Sequence, residues 1–187
     1  MRKKDPQLID LPALRSALVQ AFELEPKKVR QSWLFSSFGR GKPSVEIPRA
    51  GFQETSDIDS ETGIANNLLP YVEEMLRLLP EYYRAVHTGN TEKLKAIFDK
   101  GFPVNFINPV TQLTALLSLA GSHGKKGIKV LLEMDSVDYL IRDREGRLAS
   151  EMAIMYSNDV DMAIILMEKE DAQGEREGIK VTRRPNK

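Results

Sequence analysis

Three stretches of equal length share one pattern: residues 85–98, AVHTGNTEKLKAIF; 119–132, LAGSHGKKGIKVLL; and 153–166, AIMYSNDVDMAIIL. Each begins 34 residues after the one before. Six columns are apolar in all three: Ala85, Leu119 and Ala153; Val86, Ala120 and Ile154; Leu94, Ile128 and Met162; Ala96, Val130 and Ile164; Ile97, Leu131 and Ile165; Phe98, Leu132 and Leu166. The alignment needs no gap. Chance rarely gives such agreement in a chain that is 41% hydrophobic. A period in this range marks stacked units, each too small to bury its own apolar face.

Working outward, each unit reads as a short helix, a tight turn and a second helix. The first helices are expected at 81–87, 115–121 and 149–156, and the second at 91–100, 125–133 and 160–169. Roughly a dozen residues of strand or turn character, 102–113 and 136–147, separate the units. Tetratricopeptide-type hairpins share a 34-residue period but follow one another through short turns, so the long connectors favour protruding β-turn fingers. The fold class is therefore all-α: a helical-hairpin repeat stack with short fingers.

These residues resemble the ankyrin-repeat family. The run from Gly89 to Asn105 is similar to an ankyrin second helix and its exit, down to Gly101 and the closing Val104-Asn105. Thr114-Ala115-Leu116 stands where the family has Thr-Pro-Leu, and Asp143-Arg144-Glu145-Gly146 is similar to a finger turn. The third unit departs, with Leu148-Ala149-Ser150 in place of Thr-Pro-Leu. The turn glycine of the first unit, Gly89, becomes His123 and Ser157, and the first finger carries one extra residue near 108–112. The resemblance spans residues 80–169 and implies a non-enzymatic protein-binding module, an adaptor or inhibitor, using a concave face and fingers. The contact residues it implies are Asn108, Pro109, Val110 and Leu113 on the first finger, and Arg144, Glu145 and Arg147 on the second. Ser122, Met155 and Tyr156 follow the first helices.

Three regions follow from composition: 1–66, a helix and loop region that caps the stack or forms a partner-binding arm; 67–170, the repeat domain; and 171–187, a basic flexible tail. Leu11, Leu14, Leu18 and Phe22 recur at helical spacing, with Pro12 in the first turn and Pro26 as the stop. Breakers from Gly39 to Gly63 argue for loops and a short hairpin near 44–47. Leu68 to Leu79 forms another apolar stripe, and Pro80 is expected to start a separate helix. Three units lie near the lower limit for a self-supporting stack, so the helix at 68–79 and parts of 1–66 are expected to cover its open end.

Composition narrows the chemistry. The 187 residues contain no cysteine and two histidines, His87 and His123, which removes thiolate metal sites and cysteine nucleophiles and leaves little for a triad. Asp57, Asp59 and Glu61 are spaced as in a calcium loop, but Thr62 and Leu68 stand where glycine and glutamate are needed. Gly39-Arg40-Gly41-Lys42 is followed by Pro43 where a phosphate loop needs Ser or Thr. No metal, cofactor or small-molecule substrate is expected.

Lys+Arg and Asp+Glu are equal at 27, yet residues 1–50 hold ten bases against five acids. There Lys27, Lys28, Arg30, Arg40 and Lys42 surround Trp33, offering charge and a stacking face to nucleic acid as an alternative function; the competing reading is a cap whose bases face water. A further alternative is a bacterial secreted effector or immunity protein, because the basic end with Arg183-Arg184-Pro185 resembles type IV export signals. With neither a secretory signal nor a membrane-spanning run, the expected compartment is the cytoplasm.

Overall fold

The structure is a computed structural model and describes residues 11–24 and 69–184. Seven helices occur among the described residues: α1 (Leu11–Leu24), α2 (Leu69–Thr88), α3 (Thr91–Asp99), α4 (Ala115–Gly121), α5 (Lys125–Leu132), α6 (Ala149–Ser157) and α7 (Val160–Glu177). No strand occurs among these residues, so the chain is all-α there. No helix in this set is long and apolar enough to cross a membrane. The expected hairpin near 44–47, and Lys27 through Lys42, lie outside the described residues.

The helices pair as α2–α3, α4–α5 and α6–α7, with α4 resting on α2 and α6 on α4. The second helix α5 likewise rests on α3, and α1 lies on α2. One apolar core runs through these layers. Leu18, Ala85, Leu94, Leu119, Leu131, Ala153 and Leu166 are all essentially sealed from solvent within it.

Three of the helices start where a side chain meets a free N–H group of the first turn. Asn90 Oδ1 accepts from Lys93 N (3.0 Å), Thr114 Oγ1 from Leu117 N (3.3 Å) and Asp159 Oδ1 from Met162 N (3.3 Å). At α6 the residue in the cap position is Leu148, whose side chain has no acceptor. Glu151 reaches back instead, its Oε2 accepting from Leu148 N at 2.8 Å.

The 34-residue interval recurs as physical contact. His123 N donates to Ser157 Oγ, Tyr139 N to Gln173 Oε1, and Arg144 Nη2 to the Val110 carbonyl, while Lys125 Nζ pairs with Asp159; each joins residues 34 apart. Asn105 ties adjacent connectors together, donating from Nδ2 to Ser136 O (2.7 Å) and accepting from Asp138 N (2.9 Å). Asn105→Ala strips both partners in a mostly buried place and should cost about 1–3 kcal/mol in denaturant unfolding. An unchanged midpoint would show that the connectors are not held by this side chain.

Three details differ from the sequence reading. First, Pro80 does not divide two helices: α2 runs unbroken from 69 to 88 with Pro80 inside and its ring exposed. An interior proline removes one ladder bond and crowds the carbonyl four residues back; the buried residues on both sides, from Val72 to Val86, hold the helix together.

Second, the gap-free register fails in the last unit. The N–H groups of Asn90, Gly124 and Asp159 return to the carbonyls of Ala85, Leu119 and Ala153, so the third turn is one residue longer. Asn158, at φ 47°, takes the left-handed position that Gly89 (φ 62°) and His123 (φ 59°) hold in the first two turns. The second helix is thereby advanced: Ala163 and Leu166 point inward, while Ile164 and Ile165 are 50% and 38% exposed.

Third, the segment expected to be a flexible tail is structured as far as Arg184. Residues 171–177 complete α7, and 178–184 fold back along it, because Arg183 meets the buried Glu170 at 2.9 Å.

Candidate functional site

Both fingers are closed turns. In the first, Asn108 N donates to Leu113 O, and Asn108 Oδ1 takes the N–H groups of Val110 (2.8 Å) and Thr111 (3.2 Å). In the second, Asp143 N donates to Arg147 O, one residue closer in sequence. The extra residue read from the sequence therefore sits in the first finger, where Gln112 takes φ 58°.

Asp143 organises the second finger. One of its oxygens accepts from Glu145 N (3.0 Å) and Arg147 N (2.8 Å), and the other from Arg147 Nε (2.7 Å). Burial alone would raise this carboxyl, but the bonds from Arg147 and from the Glu145 amide outweigh it, holding the group below the ordinary aspartate range. Arg147 also pairs with Glu145, donates to Tyr156 Oη and lies with its guanidinium carbon 5.0 Å from the Tyr156 ring centre. A carboxylate, a guanidinium and a phenol thus lock the second finger to the end of α6.

Between the fingers and the first helices lies a groove of about 360 Å³. Val110, Leu113, Gly121, Met152 and Tyr156 provide its apolar lining, and Asp143, Arg144, Glu145 and Arg147 its charged rim. Arg144 bridges the fingers through its 2.9 Å bond to the Val110 carbonyl. Val110 (64%), Met155 (57%) and Tyr156 (50%) are among the exposed large hydrophobic side chains.

Of the residues anticipated from sequence, Val110, Leu113, Ser122, Arg144, Glu145, Arg147 and Tyr156 meet at this groove, and Met155 lies beside it, 3.5 Å from Arg147 Nη1. Asn108 and Pro109 serve the first finger's own turn, with Pro109 O accepting from Gln112 Nε2. Leu113 is half-buried against the core. Asp143, Met152 and Gly121 belong to the site and were not anticipated as contact residues; the Asp-x-x-Gly run signalled the first of them. Lys27, Lys28, Arg30, Trp33, Arg40 and Lys42, the candidate nucleic-acid residues, lie outside the described residues.

His87 and His123 are both exposed, one in the last turn of α2 and the other in the α4–α5 turn. Among the described residues no group of three or more His, Cys, Asp or Glu is placed to hold a metal ion. No family model matches the chain, and no curated protein and no solved structure matches it either.

Proposed function

We propose that the chain is a divergent ankyrin-type stack that acts without catalysis, docking a protein partner in the groove between its fingers and first helices. The observation that carries this reading is the clustering of Val110, Met155 and Tyr156, three exposed apolar side chains beside a fixed guanidinium. Scattered surface apolar residues mean little, but a cluster rimmed by charge is the usual form of a contact surface, with Tyr and Arg the typical anchors. Arg147 is held in place before a partner arrives, so its ordering cost is largely met on folding.

Support for the ankyrin-type reading comes from the paired helices, the turn fingers and the contacts at 34-residue spacing. On this reading the partner presents an extended or helical segment with apolar side chains to the groove, and the roles open to the protein are adaptor and inhibitor.

The test joins two substitutions, Val110→Glu and Met155→Glu, at positions whose side chains are mostly in water. The pair should leave the melting temperature within about 4 °C, since surface changes of this kind stay within about 0.5 kcal/mol each and the shift is about 2–4 °C per kcal/mol. Affinity for partners isolated with the unaltered chain should fall at least about tenfold, because each change buries an unpaired charge in the complex. Full retention of those partners by the folded double variant would overturn the assignment of the groove.

A further inference from the structure

Residues 178–184 are built against the second finger. After α7, Gly178 turns the backbone at φ 69°, and the segment returns over Gly174. A Cβ at residue 174 would lie 2.5 Å from Val181 Cγ2 and 2.7 Å from the Ile179 carbonyl, so only glycine permits this approach.

Arg183 then reaches a buried acid. Its Nε and Nη2 meet Glu170 Oε2 at 3.1 and 2.9 Å, and Nη2 also meets Asp171 Oδ1 (2.8 Å) and the Met167 carbonyl (3.2 Å). Glu170 has no exposed side-chain surface, and Ser150 N (2.9 Å) and Oγ (2.7 Å) complete its bonding.

The residues on either side of Arg183 hold the finger. The Thr182 carbonyl accepts from Arg142 Nη2 (2.8 Å), and Arg142 Nη1 donates to the Gly146 carbonyl (2.7 Å). Arg184 N donates to Glu151 Oε1 (2.8 Å), the same carboxylate that caps α6. The Arg184 guanidinium lies over Gly146, where a Cβ would come within 3.1 Å of it.

From this arrangement we infer that residues 181–184 are a latch: Arg183 anchors it on Glu170, and Thr182 and Arg184 hold the second finger where it closes the groove. The consequence for partner binding rests on the reading of the groove given above; the latch itself is a property of the chain alone.

Amide exchange measured by NMR on the full chain tests it. In Arg183→Ala the amides of Asp143, Gly146 and Arg147 should exchange at least about tenfold faster, while those of Asn108 and Gln112 on the first finger stay within about twofold. Unchanged rates at the second finger overturn the latch. If the variant loosens the whole fold, all amides accelerate together, and Gly174→Ala then decides. Its methyl group lifts the segment at Ile179 and Val181 without removing any charge. Acceleration confined to the second finger again supports the latch, and acceleration at both fingers or neither overturns it. Should the exchange result hold while the Val110 and Met155 substitutions leave partner binding intact, the latch stands and the groove assignment falls.

Discussion

Phe106→Ala should lower the unfolding free energy by about 3–5 kcal/mol, the range for truncating a sealed aromatic side chain. At about 2–4 °C per kcal/mol for a chain of this size, the melting temperature should fall by roughly 10 °C. Phe102 and Phe106 are both fully enclosed, at the foot of the first finger. Tyr82 stacks on Phe102 with ring centres 4.4 Å apart, and Phe106 stands edge-on to both, at 5.8 Å from Tyr82 and 5.4 Å from Phe102. Burial drives the Tyr82 hydroxyl far above the ordinary tyrosine range, as expected for a phenol inside this cluster. The cluster joins α2 to the first connector, so its loss should loosen the finger as well as the core. A fall of less than about 2 °C in thermal unfolding would place the Phe106 ring in solvent instead.

Glu170→Ala should cost about 3 kcal/mol. It leaves Ser150 N–H and Oγ without an acceptor in a sealed site and takes from Arg183 its buried partner. The charge itself carries a distinct signature. Burial raises the Glu170 carboxyl above the ordinary value of 4.5, outweighing the bonds from Ser150 and Arg183. A raised folded-state value means that the native chain holds this proton more tightly than the unfolded chain. The corresponding stability is complete below the unfolded value and drains away as pH rises through the folded one. Glu170→Gln keeps the shape and one of the two acceptor oxygens, and it does not titrate in this range. The unaltered chain should therefore lose stability relative to Glu170→Gln over the interval above pH 4.5 in which the folded-state carboxyl gives up its proton. Denaturant melts across that interval measure the difference, and a gap that stays constant or widens in favour of glutamate would contradict the assignment.

How far the sequence could be read depended on the kind of contact involved. Apolar periodicity located all three hairpins, because helix faces that bury the same side chains at the same depth repeat their residue types. It did not disclose the longer third turn. The extra residue precedes Asn158, which keeps the left-handed position of Gly89 and His123, and the following helix turns Ala163 inward, so the apolar column at 162–166 survives the shift and conceals it.

Phe102 and Phe106 show a similar limit: an apolar stretch reads alike whether it faces a partner or folds onto Tyr82. The closing segment misled because Arg183 belongs to a polar, basic run, while its partner Glu170 looks like one more surface acid on α7. Only their meeting in space, with Ser150 supplied by α6, distinguishes a seated guanidinium from a solvated one. Val110, Tyr156 and Arg144 were legible through a resemblance alone. Asp143, which fixes the geometry around them, was signalled by the Asp-x-x-Gly run as a turn residue and not as part of the groove.

The central claim is that three hairpins lie against one another at an interval of 34 residues, lengthened once at the last turn. Nuclear Overhauser contacts in the isotopically labelled full chain test it most directly. The account predicts cross-peaks from the His123 amide to the Ser157 Hβ protons, from the Asp138 amide to the Asn105 Hβ protons and from the Tyr139 amide to the Gln173 Hγ protons. A spectrum that shows the helices but lacks all three connections would contradict the stack and everything built on it.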